Sequence, residues 1–309
     1  MTTLLETPIS TSAPASEVEK IHRQLRVMTF NVLYHGAQNA AGDWPTRRHL
    51  VAEVLNKWKP CVVGFQEATE LQLAQLTEDN TDYDVVTGPV SGVTHLPGWI
   101  RRGERVQDVG EWCPLFYRRD VLRVVDNGAF WLSPDSDTPG SVLPGTWLPR
   151  VVNWARFEAI DGSRTISIFN THIDFLPWAT KRSARILWQR MQQLWDGTPQ
   201  VIMGDFNAAP GSAIHRCLLR DCVRHYGAPM FRDAWEAAAH REGPVETFHA
   251  GKGRKRWPGR IDHIFFRPSK LHVERCVTIT HGLNGRFPSD HYPVMVEFGR
   301  KPPTDHTAG

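Results

Sequence analysis

The amino-acid sequence predicts an α/β fold in which two β-sheets pack face to face, with helices on the outside. Apolar segments of strand length recur along the whole chain, and the strands they predict are of mixed kinds. Segments with helical spacing fall mainly between the early strands. This arrangement favours one sheet stacked on another over a single parallel sheet with alternating helices.

The bulk composition is that of an ordinary globular chain. Its 309 residues suit one large domain or two small ones, and no linker or internal repeat divides them. We expect residues 1–24 to form a disordered arm, residues 25–299 a single domain and residues 300–309 a flexible tail. The start lacks a signal-peptide pattern and no run is as long as a membrane span, so we expect a cytoplasmic protein with no membrane partner. The sequence leaves the oligomeric state open.

Two features of the composition limit the partners and the redox chemistry. The net charge of +3 neither requires nor excludes a nucleic-acid partner. The cysteines contain no CxxC pair, and three of them lie in apolar runs. We therefore expect reduced core cysteines, and neither a disulfide framework nor a zinc site. The five are Cys61, Cys113, Cys217, Cys222 and Cys276.

The first part of the chain predicts two successive strand–helix units. Residues 25–31 alternate well enough for a strand that ends in Asn31. A helix follows after Asp43, and a short apolar strand over residues 61–65 then precedes Glu67 and a second helix. Each strand thus leaves a polar residue at its C-terminal end. Taken singly, Asn31 is also typical of a turn, and Glu67 of a helix start.

The middle of the chain begins with an irregular, basic and Trp-containing segment over residues 88–110. A loop of this length is either functional or a solvated insertion, and both interpretations stay open. Strand patterns follow, and the last of them, over residues 164–171, ends in His172. The first two cover residues 111–117 and 129–132, and residues 151–159 add another.

The apolar run Val201-Ile202-Met203 leads into Gly-Asp-Phe-Asn and then breaks at Pro210. This pattern predicts a buried strand that delivers its last residues to a loop. Because side chains alternate along a strand, Asp205 and Asn207 are predicted to point to the same side. The alternative is an Asx-turn in which both side chains only satisfy the backbone.

The last part of the chain contains two more strands with polar residues at an end. A Gly-rich, basic segment over residues 250–260 precedes a strand that carries Asp262. This charge run either contacts a substrate or is simply solvated. Asp290 and His291 open a closing strand in which Val294, Val296 and Phe298 alternate.

The polar residues at strand ends form a set of four carboxylates, two amides and two imidazoles. If they converge, the repulsion between the carboxylates requires a cation. Oxygen-rich ligation without cysteine favours Mg²⁺ or Mn²⁺ over zinc. Such a site suits phosphoryl transfer to water. The set consists of Asn31, Glu67, His172, Asp205, Asn207, Asp262, Asp290 and His291.

Six motifs, in this order along the chain, resemble the endonuclease/exonuclease/phosphatase family. They are FNV at 30–32, GFQE at 64–67, NTH at 170–172, GDFN at 204–207, RIDHIFF at 260–266 and SDH at 289–291. The resemblance covers about residues 25–298. It implies a four-layer α/β/β/α sandwich of two mixed sheets with outer helices, and an active site at one edge.

The resemblance also implies a role for each residue of the set. Glu67 is the implied principal Mg²⁺ ligand, with Asn31 and Asp290 assisting. Asp205 positions or activates the attacking water, while Asn207 and His172 hold the phosphate. His291, paired with Asp262, is the implied base or a phosphate-binding imidazole. Which of Asp205 and His291 takes the proton stays open.

Further segments resemble a bacterial subgroup of the family and give four candidate substrate-binding residues. Arg150 is expected to reach a phosphate, and Arg260 ends the basic segment before a strand. Glu111 is either a substrate contact or a solvated strand edge, and His249 is either a ligand or a packed histidine. The chain departs from the subgroup at residues 88–110, where its loop is longer and more basic.

We expect a metal-dependent phosphoesterase, and the modest charge favours a phosphorylated small molecule or nucleotide as its substrate. The alternative substrate is DNA or RNA, gripped by the arginines of residues 101–105 and the 252–260 segment, with Trp99 or Trp257 stacking on bases. A catalytically silent binding module is the remaining alternative. It is disfavoured because no residue of the implied metal and catalytic set is missing.

Overall fold

The computed structural model of the chain describes residues 24–37, 39–90, 110–222, 230–254, 259–268 and 271–300. The predicted N-terminal arm, almost all of the 88–110 loop, part of the 250–260 segment and nearly all of the C-terminal tail lie outside the described residues. Trp99, Trp257 and the arginines of residues 101–105 are among them.

Seven of the described strands form the first sheet. Two of its strand pairs are parallel and the others are antiparallel, so the sheet is mixed. In spatial order the strands are β10 (His240–Glu242), β12 (Leu271–Thr278), β13 (Val294–Arg300), β1 (Leu25–Asn31), β2 (Val62–Gln66), β4 (Leu115–Arg118) and β3 (Tyr83–Val86).

Six described strands form the second sheet. It is also mixed, because one of its strand pairs is parallel while the others are antiparallel. In spatial order they are β5 (Leu122–Trp131), β6 (Val151–Ala159), β7 (Thr165–His172), β8 (Gln200–Asp205), β11 (Asp262–Phe266) and β9 (Arg232–Asp233).

Helices cover the outer faces of both sheets. Helices α1 (Trp44–Trp58) and α2 (Glu70–Asp79) share a buried apolar cluster with β1 and β2. Helices α3 (Pro177–Gln193) and α4 (Ala213–Arg216) pack on the second sheet, and α5 (Ala234–Ala237) follows β9. A third apolar cluster lies between the sheets and draws on both. The predicted α/β/β/α sandwich is therefore confirmed. None of the described helices is long and apolar enough to cross a bilayer.

The strand registers determine where the polar strand ends meet. On the second sheet, Asp205 of β8 is paired with His172 of the parallel β7 and with Asp262 of the antiparallel β11. On the first sheet, Asn31 is paired with Gln66, the residue before Glu67. The side-chain Nε2 of Gln66 donates to Oδ1 of Asn170 on the other sheet (2.6 Å), directly below this edge. Both sheets therefore present their polar ends at the same rim.

The cysteines differ in part from the prediction. Cys61, Cys113 and Cys276 are free and buried, as expected for core residues. Cys217 and Cys222, which we expected to be reduced, form a disulfide with their Cα atoms 4.8 Å apart. The reason is local, because a π-helical turn over Cys217–Asp221 follows α4, and Cys222 donates its N–H to the Cys217 carbonyl. This i→i+5 turn brings together two residues that would be farther apart on an α-helix.

Candidate active site

The centre of the polar rim is a contact between the two sheets made by Asn31. Its Nδ2 donates to Oε1 of Glu67 (2.8 Å) and to Oδ2 of Asp205 (2.9 Å). Asn31 and Asp205 are buried and Glu67 is half-buried. Ligating atoms of Glu67, His172 and Asp205 lie within 4.8 Å of one another, as do those of Asp205, Asp262 and His291. Asp205 therefore belongs to two overlapping groups that could hold a cation.

Two of these residues have a left-handed backbone. The φ angle is 60° at Glu67 and 47° at Asn207, which is a rare conformation for residues other than glycine. Such geometry costs about 1–3 kcal/mol per residue and persists only where the surroundings hold it. Here the Asn207 N–H donates to Oδ1 of Asp205 (2.8 Å), and the Tyr34 N–H donates to Oε2 of Glu67 (3.3 Å). The strain turns both side chains toward the rim.

His172 lies between the side-chain amide of Asn207 and the carboxylates of the rim. Its Nε2 is 3.0 Å from Nδ2 of Asn207 and 3.7 Å from Oδ2 of Asp205. Because the Asn207 amide nitrogen can only donate, a neutral His172 accepts at Nε2 and carries its proton on Nδ1. Nδ1 faces Oε2 of Glu111 at 3.4 Å. His172 thus couples Asn207 to Glu111.

His291 forms a pair with Asp262. Its Nδ1 lies 2.9 Å from Oδ2 of Asp262, and its Nε2 is 3.8 Å from Oδ2 of Asp205. Burial by itself would lower the pKa of His291, but the carboxylates of Asp262 and Asp205 raise it well above its usual value. The pKa of Asp262 is raised because the group is buried and lies near Asp205. The pair therefore directs one imidazole nitrogen toward Asp205 and holds it there.

Asp290 stands at the other side of the rim. Its Oδ2 accepts from Nδ2 of Asn39 (2.9 Å), a residue of the loop that follows β1. The fully buried guanidinium of Arg47 joins the same two segments, donating to the carbonyls of Val32, Leu33 and Pro288. Burial lowers the pKa of Arg47 to about 10, while Asp290 and Glu67 act in the opposite direction. Arg47 is therefore a cation that connects the backbone just after Asn31 with the backbone just before Asp290.

Arg150 and Glu111 form the wall next to His172. Nη1 of Arg150 lies 3.5 Å from Oε2 of Glu111. Arg150 is buried, and its Nε has no hydrogen-bond partner among the described residues. Burial opposes ionisation of Glu111, but His172 and Arg150 lower its pKa. This wall thus offers a buried guanidinium that is only partly satisfied.

The charge balance of the rim fits a divalent cation. Burial raises the pKa of Glu67, as do the carboxylates of Glu111 and Asp290, while His172 opposes the shift. Oδ1 of Asp262 is buried without a hydrogen-bond partner in the described part of the chain. Carboxylate and amide oxygens line the cavity at the rim, and none of its described lining residues is a cysteine. A hard cation with oxygen ligands offsets such crowding.

The rim opens into a cavity of about 440 Å³. This volume lies in the range of small-molecule sites. Most of the predicted residues line it, whereas Asn31 and Asp262 lie just behind the residues they contact. The cavity is lined by Leu33, Tyr34, Ala37, Asn39, Glu67, Glu111, Arg150, His172, Phe175, Asp205, Asn207, Phe248, Ile261, Asp290 and His291.

Two predicted substrate-binding residues lie elsewhere. Nη1 of Arg260 donates to both carboxylate oxygens of Asp233 (3.0 and 2.8 Å) in a buried ion pair. His249 is 1% exposed and stacks on Tyr292 with ring centroids 4.0 Å apart, and burial lowers its pKa to about 4. Neither lines the cavity. Because both side chains are used in packing or pairing, we assign neither a substrate contact.

Several residues at the rim have no separate signal in the sequence. Tyr34 and Asn39 lie in the loop after β1, and Arg47 has the pattern of an ordinary helical arginine. Phe175 comes three residues after His172, so only its closeness to a strand end could have indicated a position at the rim. Their roles depend on contacts across the fold.

The comparisons with known proteins agree with this geometry. The model of the Endonuclease/Exonuclease/phosphatase family matches residues 28–291. A Bacteroides vulgatus endonuclease/exonuclease/phosphatase has a similar structure, with a TM-score of 0.76 and 25% identity over 90% of this chain and 99% of that one. The mannosyl-6-phosphatase of Bacteroides thetaiotaomicron has a TM-score of 0.74 and 28% identity, covering 89% and 99% of the two chains.

A curated relative is more distant. Nocturnin of Drosophila melanogaster is 22% identical over 293 residues, which cover 85% of this chain but only 43% of that protein. The chain thus spans less than half the length of this relative. With a family model that matches most of the sequence and a shared fold, the chain belongs to the endonuclease/exonuclease/phosphatase family.

Proposed function

We propose that this protein is a divalent-metal-dependent phosphoesterase that hydrolyses a phosphate ester by in-line attack of water. The observation that carries the proposal is the junction of Glu67, Asn31 and Asp205, which joins the ends of both sheets at one cavity. Family membership supports phosphoester hydrolysis as the class of reaction.

Glu67, Asn31 and Asp290 would hold the cation, which we propose to be Mg²⁺ or Mn²⁺. Their oxygens are of the hard type these ions prefer, and the cavity lining in the described part of the chain contains no thiol. When bound, the cation neutralises charge on the phosphate and on the leaving oxygen.

The remaining residues of the rim would orient the attacking water and the phosphate, and would transfer protons. Asp205 accepts from Asn31 and from the Asn207 N–H, so its carboxylate is fixed for positioning a water molecule. Asn207 and His172, which contact each other at 3.0 Å, would exchange this contact for hydrogen bonds to the phosphate, where charge develops. Asp262 holds His291 so that the imidazole faces Asp205. His291 and Asp205 would form the pair that takes the proton from the attacking water.

We propose a phosphorylated small molecule or nucleotide as the substrate. The cavity of about 440 Å³ and the buried, partly satisfied Arg150 suit a compact phosphorylated ligand. The name of the B. thetaiotaomicron relative, a mannosyl-6-phosphatase, is compatible with a phosphomonoester.

A hydrolysis panel with Mg²⁺, Mn²⁺ or EDTA tests the proposal. It includes nucleotides, sugar phosphates, plasmid, single-stranded DNA, RNA and a chromogenic diester. We expect release of phosphate or cleavage that requires the metal and falls in Glu67→Ala. Leu71→Ala, an exposed position on α2 away from the cavity, is the matched control. Full activity in Glu67→Ala would remove the assignment from this site.

A second candidate is a nuclease, favoured by the exposed face of α3. Lys181, Arg182 and Arg185 are exposed there, and none of them has an ion pair within the described residues. Binding of a nucleic-acid strand releases counterions, so cleavage would fall steeply with salt concentration. Activity that is nearly independent of salt favours the small substrate instead.

A further inference from the structure

Two exposed aromatic side chains stand where the chain leaves β7 for α3. Phe175 is 55% exposed and lines the candidate active-site cavity, and Trp178, one residue inside the helix, is 43% exposed. They follow His172 by three and six residues. We call this pair the aromatic ledge. A large aromatic side chain that is exposed at a cavity, as Phe175 is, marks an interaction surface more often than single apolar residues elsewhere do.

The helix does not use Phe175. Leu176 is the N-cap of α3, so Phe175 occupies the position before the cap. An apolar residue there usually packs on the fourth helical residue in a hydrophobic staple. That residue is Thr180, which is polar and bonds its hydroxyl to the Pro177 carbonyl. The Phe175 ring therefore stays in solvent without contributing to the start of the helix.

The ledge is nevertheless held in place. Oδ1 of the buried Asp174 accepts from the Leu176 N–H (2.9 Å), which fixes the backbone on both sides of Phe175. The Trp178 ring lies so close to Gly145 that a Cβ there would be 2.9 Å from Cη2 of the ring. The Arg182 guanidinium lies 5.7 Å from the centre of the same ring. An aromatic surface that is fixed before binding loses little entropy when a ligand stacks on it.

The polar groups on this side of the cavity argue against a sugar as the group recognised. A sugar needs partners for several hydroxyls, but the partly satisfied Arg150 is the group proposed for the phosphate, and Glu111 faces both Arg150 (3.5 Å) and His172. A flat ring needs only an apolar face. The observations therefore favour a planar ring over a polyol.

We propose that Phe175, which lines the cavity, forms a stacking subsite for a nucleobase in the non-phosphate part of the substrate, with Trp178 following it on the first turn of α3. The subsite rests on the proposed function, since it places the base beside His172 and the ester at the carboxylate rim. It selects phosphoesters that carry a planar heteroaromatic ring, whether as single nucleotides or at the end of a strand.

Adenosine and ribose test the subsite without requiring hydrolysis, because neither carries a phosphate. We expect adenosine to bind more tightly than ribose in saturation-transfer NMR titrations of the full chain. Phe175→Ala should weaken adenosine binding by roughly 5- to 100-fold and leave ribose binding unchanged. Phe175→Tyr should retain adenosine binding. Leu71→Ala, an equally exposed apolar position away from the cavity, should match the wild type. Equal binding of adenosine and ribose, or unchanged binding in Phe175→Ala, overturns the proposal.

A second pair of ligands separates the subsite from the chemistry. AMP and ribose 5-phosphate share the same ester and sugar and differ only in the base. With Mg²⁺, we expect a larger kcat/KM for AMP and a loss of this advantage in Phe175→Ala. If the enzyme hydrolyses neither ester nor any other compound of the panel, the proposed function fails, and the adenosine titration still decides whether the ledge binds a base. An equal kcat/KM for the two esters counts against the ledge alone.

Discussion

The structure contains two clusters of carboxylate and imidazole groups that differ in how their charge is balanced. In the closed cluster, His215 and His263 surround Asp233, and Arg260 forms two hydrogen bonds with the same carboxylate. In the open cluster, Glu67, His172 and Asp205 face a cavity of about 440 Å³. The closed cluster has a cation of its own, whereas the open cluster has the carboxylate crowding that an exchangeable cation would relieve.

A single strand supplies both clusters. Asp262 and His263 are adjacent on β11, and their side chains point to opposite faces of the sheet. Asp262 contacts His291 in the open cluster. Nδ1 of His263 lies 3.7 Å from Asp233, and its Nε2 donates to the carbonyl of Ala208, just after Asn207. The closed cluster thus supports the loop that carries Asn207, and its role is structural.

The largest effect is expected from removing the carboxylate of the closed cluster. Asp233→Ala leaves the buried Arg260 with only the exposed Glu236, 3.7 Å away, as an ion-pair partner among the described residues, so we expect the free energy of unfolding to fall by about 3–5 kcal/mol. Urea denaturation in EDTA measures this loss. The rise in Tm on adding Mg²⁺ should be as large as in the wild type. If that rise disappears, the two clusters are not independent.

Glu67→Gln makes the corresponding change in the open cluster. We expect kcat/KM to fall by about 10²- to 10³-fold, since a group that places charge at the reacting centre is lost. Without metal, the variant should be slightly more stable than the wild type, because burial and the neighbouring Glu111 raise the pKa of Glu67 and disfavour its charged form. Thermal unfolding in EDTA and in Mg²⁺ checks both. A variant that is less stable in EDTA contradicts the idea of carboxylate crowding.

Acid should destabilise the protein through the closed cluster. Despite the opposing effect of burial, His215, His263 and Arg260 lower the pKa of Asp233 below its ordinary value. A depressed pKa stabilises the fold above the unfolded value of about 3.9, and each pH unit below it costs up to about 1.4 kcal/mol. We expect the unfolding free energy to fall between about pH 4 and pH 2, and to fall less in Asp233→Asn. Equal slopes would exclude Asp233 as the cause.

The smallest effects should distinguish Arg260 from Arg150, since the sequence predicts a substrate contact for both. Arg260→Lys loses the paired geometry with Asp233, and we expect about 1–2 kcal/mol less stability with KM unchanged. Arg150→Lys should instead raise KM by roughly 10-fold with little change in stability, because its guanidinium lines the cavity. Denaturation curves and steady-state kinetics on both variants decide. A raised KM in Arg260→Lys would restore it as a substrate contact.

The sandwich was predictable from the sequence because local patterns report it. The apolar run over Val201–Met203 ends in Gly-Asp-Phe-Asn, and β8 ends at Asp205. The alternation in residues 25–31 matches β1. Strand ends, helix stops and side-chain alternation depend on neighbours along the chain, so a single sequence carries them. The polar residues at those ends could be named for the same reason.

The direction in which a polar residue faces was harder to predict. Arg260 and Asp262 are two residues apart, yet the arginine pairs with Asp233 while the aspartate contacts His291. No local pattern around Arg260 predicts that it pairs with Asp233, which is 27 positions away. The disulfide between Cys217 and Cys222 was missed because it depends on a π-helical turn.

By itself, the sequence determined the two-sheet arrangement, many of the strands and the set of polar residues at their ends, since these follow from periodicity and from breaks in it. Only the tertiary structure decided which of these residues meet. The pairing of β8 with both β7 and β11 places His172, Asp205 and Asp262 side by side, and Asn31 joins them to Glu67 across the sheets. Contacts between distant strands depend on register and sheet packing, which no local pattern encodes.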